Sequence, residues 1–367
     1  LTKTGAGTLR LTGTNSYSGG TLIQQGTLVA SSDGNLGDAA GGLSLSGGTL
    51  RWAAGFDTAR SISLLAGGGV LDTGGEDVTL SGTISGVGSL TKTGAGTLRL
   101  TGTNSYSGGT LIQQGTLVVT SDSNLGDAAG GLSFSGGVLR WAAGFDTGRS
   151  VSLLSGGGVL DTGVEEVTLS GTISGVGGLT KRGEGVLRLT AAPRYVGSTV
   201  VSAGTLLYQI DEGNTTIGQE VKLTIADGAA VIASGTVDPF TDSVVDTRHL
   251  DVLNDGRLEI LAGVKQLASL DGQGEVIIAA GASLTASLIR QSTITVGGEE
   301  GNPARLVFRS SLPPDGAGES LAGALAAVGA GPAVPEPSAI ALLLSGAVLG
   351  AAGAQRAFRA MGRRRPR

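Results

Sequence analysis

The sequence predicts an all-β chain: a right-handed parallel β-helix, or β-solenoid, built from 89-residue repeats and followed by a C-terminal transmembrane helix. Three observations lead there. Residues 1–89 recur as 90–178 with 11 differences. Within each copy, apolar and polar residues alternate in runs of about five, opened or closed by glycine, which is the period-two signature of strands. Finally, 17 uncharged residues, 338–354, precede an arginine cluster at the extreme C-terminus.

The first copy, 1–89, opens with "LTKTGAGTLRLTGTNSYSGGTLIQQGTLV", which returns unchanged at 90–118, and a third copy begins in register at Leu179 with "LTKRGEGVLRLT" before diverging. The differences are conservative: Leu45 becomes Phe134, Ile62 becomes Val151 and Asp77 becomes Glu166. Segments such as "GTLRLTG", "GLSLSGGTLRW" and "DVTLSGTISG" are short strands, and the glycines between them sit where the backbone turns through conformations that cost other residues a Cβ clash. No sustained helical period runs through residues 1–310.

Spacing separates a solenoid from a sandwich. Leu9, Leu28, Leu50, Leu71 and Leu90 recur in similar settings at roughly 19 to 22 residues, so the unit reads as about four turns of a coil. A single coil cannot bury its inward Leu, Val and Ile side chains. Stacking coils at about 4.8 Å closes the core, and roughly fourteen coils would make a rod on the order of 70 Å long. Past residue 205 the repeat weakens while the alternating style persists, so 179–309 is a diverged continuation. Residues 310–333, rich in Gly, Ala and Pro, read as a linker before a terminal unit at 334–367.

Composition excludes several functional classes. The chain has 67 glycines, 12 aromatic residues and 40% hydrophobic residues, too apolar for a solvated disordered chain. It has no cysteine, which removes disulfides, thiolate catalysis and cysteine-bound metal clusters together. Formal charge is -5, but six of the 25 basic residues fall in the last twelve positions; without them the balance is 19 basic against 30 acidic, or -11. An acidic body without a basic patch does not fit nucleic acid. The chain opens on Leu1 with no export signal before the first repeat, so any such signal is expected upstream.

Candidate chemistry is sparse, and no cofactor is expected. The carboxylates to weigh are Asp72, Glu76 and Asp77, their copies Asp161, Glu165 and Glu166, and Asp211, Glu212, Asp251, Asp255 and Glu259 near the single His249. Because the first sets are duplicated whole, they read as solvated turn acids ahead of catalytic or calcium-binding groups. One histidine cannot make a histidine-rich metal site. Trp52 and Trp141, with Phe56 and Phe145, could stack on sugar rings, but core packing is the plainer reading. The "NTT" at 214–216 fits a glycosylation acceptor and equally a turn; no Ser-His-Asp order, phosphate loop or HExxH is present.

The end of the chain is of a different kind. Residues 338–354 reach the lower length limit for a membrane-crossing helix, and arginines just beyond an apolar run mark the cytoplasmic side. "VPEPS", the apolar run and the Arg-rich end together resemble the PEP-CTERM sorting signal of Gram-negative bacteria. That resemblance implies that Pro335, Glu336 and Pro337 are the motif recognised by exosortase, a cysteine transpeptidase. It further implies that the helix holds the precursor in the inner membrane and that Arg363, Arg364 and Arg365 stay in the cytoplasm. Prolines on both sides of Glu336 hold that stretch extended, in a form a protease can grip. Members of that family are exported and associated with biofilm and extracellular polysaccharide.

The body, through "LTKTGAGTLRLTGTNSYSGGTLIQQGTL", resembles the autotransporter-associated β-strand repeat, which forms part of secreted β-helical passengers. No outer-membrane barrel of the kind that family carries is expected after the repeats, and the sorting signal is expected in its place. The combined expectation is a non-enzymatic surface or matrix protein acting in adhesion or biofilm structure. A surface-displayed β-helical protein that binds or degrades polysaccharide is the alternative.

Overall fold

A computed structural model describes residues 1–210, 222–234, 250–262, 264–291, 293–299, 302–303, 305–308 and 343–344. The pairing is parallel throughout the rod, as a solenoid requires; the one antiparallel pair described is the short Gly298–Glu299 with Asn302–Pro303. Strands of two to eight residues, most of them three or four, succeed one another around three faces, and each pairs with strands on the adjacent turns. On face I, Thr2–Lys3, Thr21–Ile23, Leu43–Leu45, Ile62–Leu64 and Ile84–Gly86 make a 5-stranded sheet. Face II carries Thr8–Leu11, Thr27–Ala30, Thr49–Trp52 and Gly69–Asp72 at its start. Face III opens with Val78–Leu80 and continues through a 13-stranded sheet, 12 strands of it up to Phe308. That ladder compares with the roughly fourteen coils expected.

The 89-residue unit is not a whole number of turns. The five strands of the first copy on face I span four turns, and the next copy of Thr2–Lys3 is Leu90–Thr93. That strand does not return to face I; it pairs with Gly69–Asp72 on face II, Lys92 opposite Leu71. The third copy, Leu179–Arg182, pairs with Gly158–Asp161 on face III. Each repeat is therefore four turns and one face, and the pattern rotates by one face from copy to copy. This corrects the expected leucine column: Leu9, Leu28, Leu50 and Leu71 do stack, but the next rung is Lys92, not Leu90.

The core is the sum of these inward columns. On face III, Leu98, Leu117, Leu139 and Leu160 lie one above another, all fully buried. Burying a leucine side chain contributes about 1.5 to 3 kcal/mol, and only the turns above and below supply the cover. The corners depend on glycine. At Gly115 the backbone has φ +68, and an added Cβ would lie 2.3 Å from the carbonyl oxygen of Gly94 on the preceding turn.

Two kinds of buried cation, lysine and arginine, solve the problem left at those corners, where carbonyls point inward. Lys92, with no exposed surface, donates from Nζ to the carbonyls of Thr93 at 2.7 Å, Gly94 at 2.8 Å and Gln114 at 3.1 Å. Lys3 and Lys181 make the same three bonds in the other copies. Arg149 does more. Its guanidinium pairs with Asp122 through Nε and Nη2 at 2.8 and 3.0 Å and also binds the carbonyls of Asp122, Leu125, Gly126, Asp127 and Gly130. Arg60 and Asp33 repeat the arrangement one copy earlier. Burial, the largest single influence, pushes the Asp122 carboxyl up, but the hydrogen bonds from Arg149 and Thr147 and the Arg149 charge together hold the group below its ordinary value.

Among the described residues no helix is long and apolar enough to cross a membrane. Of the segment 338–354 expected to be a transmembrane helix, only Leu343–Leu344 is described, and it is a two-residue strand beside Val307 and Phe308. The rest of 338–354, the linker 310–333, Pro335, Glu336, Pro337, Arg363, Arg364 and Arg365 lie outside the described residues.

Two predictions follow from the buried cations. Arg149→Met strands five carbonyls and a carboxylate, so the second repeat should lose about 3 to 5 kcal/mol of unfolding free energy. Denaturant melts with hydrogen exchange at 122–130 check this, and unchanged protection there refutes it. Burial lowers Lys92 and Lys181 from 10.5 to about 8. Between pH 8 and 10 the unfolded chain then binds more protons than the folded one, so stability should rise across that window. The rise should flatten in the Lys92→Met, Lys181→Met double variant, measured by denaturation at each pH.

Candidate functional site

Of the acids singled out in the sequence, Asp72, Asp77, Asp161 and Asp255 anchor turns or rungs, Glu166 and Glu259 pair with arginines, and Glu76 and Glu165 make no side-chain bond among the described residues. Asp72 accepts the Gly74 amide at 2.8 Å and lies 3.6 Å from Arg51; its copy Asp161 accepts from Gly163 at 2.9 Å and lies 4.0 Å from Arg140. Asp77 accepts the Thr97 amide at 3.2 Å from the next turn, whereas its copy Glu166 reaches out to Arg188 Nη2 at 2.7 Å. Asp255 accepts from the Gln273 amide at 3.0 Å, and Glu259 is paired with Arg257. Asp211, Glu212, His249 and Asn214 lie outside the described residues, as does the Asp251 side chain. No group of three or more potential ligands that could hold a metal ion occurs among the described residues.

Trp52 and Trp141 are each 1% exposed and pack on Phe56 and Phe145, with ring centroids 5.8 and 6.1 Å apart. They belong to the core and cannot present a platform to sugar rings. Both indole N–H groups are buried without a hydrogen-bond partner.

The structure does assemble an open groove that the sequence did not reveal. It runs along face III with a volume of about 480 Å³, and its polar lining includes Asp57, Asp77, Thr97, Arg99, Arg140 and Asp161. Asp57 and Asp77 come from the first repeat and the other four from the second. Asp57 is fixed by the Thr79 amide at 2.7 Å. Across its floor Thr79, Arg99, Val118, Arg140 and Asp161 stand in strict register on five successive strands. The only sequence signal was the Arg of "TLRL" and "VLRW", polar at an outward strand position; what it would face depended on the rotation between copies.

A second groove of about 430 Å³ lies farther along, beside Asp227, Asp255, Arg257 and Glu275. There Arg257 is already engaged by Glu259 and, at 3.9 Å, by Glu275. Both grooves are shallow, polar and without a nucleophile and base in mutual contact.

Comparison with known proteins agrees with the body of the rod. The Passenger-associated-transport-repeat family matches at residues 1–30, 90–119 and 179–207, the opening of each copy. The chain is 38% identical over 240 residues to the Adhesin BmaC autotransporter of Brucella suis biovar 1 (strain 1330), covering 65% of this chain and 6% of that protein. It thus spans a small part of its relative's length. No solved structure matches. The chain is a parallel β-solenoid that carries three passenger-associated-transport repeats and resembles part of an autotransporter adhesin.

Proposed function

We propose that the chain is an exported, non-enzymatic segment of the bacterial surface or matrix, acting in adhesion through its stiff, extended form. The observation that carries this reading is the 38% identity over 240 residues to part of an autotransporter adhesin, in a chain whose passenger-associated-transport repeats stack in a parallel solenoid. A rod suits such work: its stability is local to each turn, so length can grow without a larger core. Among the described residues, the turn carboxylates are engaged by backbone amides or arginines and the grooves are polar and open, without an assembled acid-base pair.

The proposal extends to sorting. Pro335, Glu336 and Pro337 would be read by exosortase, 338–354 would hold the precursor in the inner membrane, and Arg363, Arg364 and Arg365 would remain cytoplasmic until cleavage. The tail supplies each part in order. Of the alternative, polysaccharide binding draws support from the face III groove.

Cells lacking the chain should lose attachment or biofilm cohesion, and purified chain should leave acidic and neutral polysaccharides uncut. Full attachment after deletion, or turnover abolished by Glu259→Gln, counts against the reading. For sorting, Glu336→Ala should leave an unprocessed precursor; an unchanged mature mass shows that the motif is not read.

A further inference from the structure

We propose that the face III groove at the junction of the first two repeats binds a linear, neutral, hydroxyl-rich polysaccharide lying along the rod axis, with Arg99 as its principal donor. The proposal rests on the adhesive reading and gives it a ligand class and a site.

The geometry is that of a template for a polymer. The groove floor crosses five strands, a run of about 19 Å at about 4.8 Å per strand. One sugar unit of an extended chain is close to that step in length, so successive sugars meet successive strands. Arg99 and Arg140 stand two strands apart with Val118 between them, and Thr97 and Thr116 form a parallel row beside them. Asp57 and Asp77 each use one carboxylate oxygen to hold a backbone amide, which fixes the carboxylate and leaves the second oxygen to accept from a sugar hydroxyl. Acceptors at the ends of the groove, Asp57 and Asp77 on one side and Asp161 on the other, thus flank the donors Arg99 and Arg140, so a run of hydroxyls meets both kinds of partner.

Charge selects the neutral class. The lining carries two arginines against three aspartates, Asp57, Asp77 and Asp161, a formal balance of -1. A polyanion would meet net repulsion there.

Comparison of the copies identifies Arg99 as the decisive group. It is exposed, and among the described residues its side chain has no hydrogen bond or ion pair. Its third-copy counterpart, Arg188, is held by Glu166 and by Gln209. Glu166 stands where the first junction has Asp77, and the extra methylene lets its carboxylate reach the arginine instead of the backbone amide. One of the 11 differences between the copies therefore gives Arg188 an acidic partner that Arg99 lacks, and Gln209, where the second copy has Thr120, adds a second hold on it.

The test is calorimetric titration of the full chain with a neutral β-linked hexasaccharide, a hexameric polyuronate and a monosaccharide control. The neutral hexasaccharide should bind best. Arg99→Gln should weaken it roughly tenfold or more, the cost of a lost charge-assisted hydrogen bond. Asp77→Glu should weaken it similarly by giving Arg99 an internal partner, while Arg188→Gln should leave it unchanged; matching melting curves exclude misfolding as the cause. No neutral binding, or binding indifferent to both groove variants, overturns the site, and Arg99-dependent binding of the polyuronate alone overturns the neutral class. Attachment by cells whose chain binds no saccharide would sink the groove and spare the adhesive role. Groove binding without any effect of deletion on attachment would do the reverse.

Discussion

Everything in this molecule depends on the parallel pairing of one turn with the next. A strand of three or four residues has too few hydrogen bonds and too little apolar cover to persist alone. Placed between two neighbours, its amides and carbonyls are satisfied on both sides, and its inward leucine meets another leucine above and below. The inward columns, from Leu28 to Leu71 and from Leu98 to Leu160, follow from that repetition. So does the use of glycine at the corners, where a turn must sit within van der Waals reach of the turn beneath it.

Stacking creates a difficulty as well. A chain that bends sharply three times per turn points some carbonyls into the core, and a buried unpaired carbonyl is costly. Lys92 and Arg149 meet this with cations whose several donors each take a separate carbonyl. The lysine has the additional merit of an aliphatic stem that continues the column of leucines. A residue that looks like a solvated charge in the sequence is thus a core residue in the fold.

The stacking was legible in the sequence because period-two alternation and a fixed spacing of leucines are direct images of it. The duplication, the turn length and the core character of Trp52 could all be read from residue types and their intervals. Lys92 and Arg149 could not, since alternation marks Lys92 as an inward position but says nothing of the carbonyls that receive it. Equally hidden was the groove. Its residues lie between 57 and 161 in the chain, and only the three-dimensional register places Asp77 beside Arg99.

The rotation by one face explains why near-identical copies need not behave alike. If 89 residues made whole turns, equivalent residues would stand in line on one side of the rod. With the extra face, Arg51 and Asp72 point from face II while Arg140 and Asp161 point from face III. Identical sequence therefore presents its surface in different directions. The substitutions then act locally. Leu45 to Phe134 enlarges an inward rung, and Gly158, with no side chain to collide, lies against the Phe134 ring; the equivalent Gly69 lies against Leu45. Core changes of this kind are absorbed by the adjacent glycine, whereas the outward change from Asp77 to Glu166 alters which charge the surface leaves free. Duplication thus supplies the rod, and small outward differences between copies decide what each face can hold.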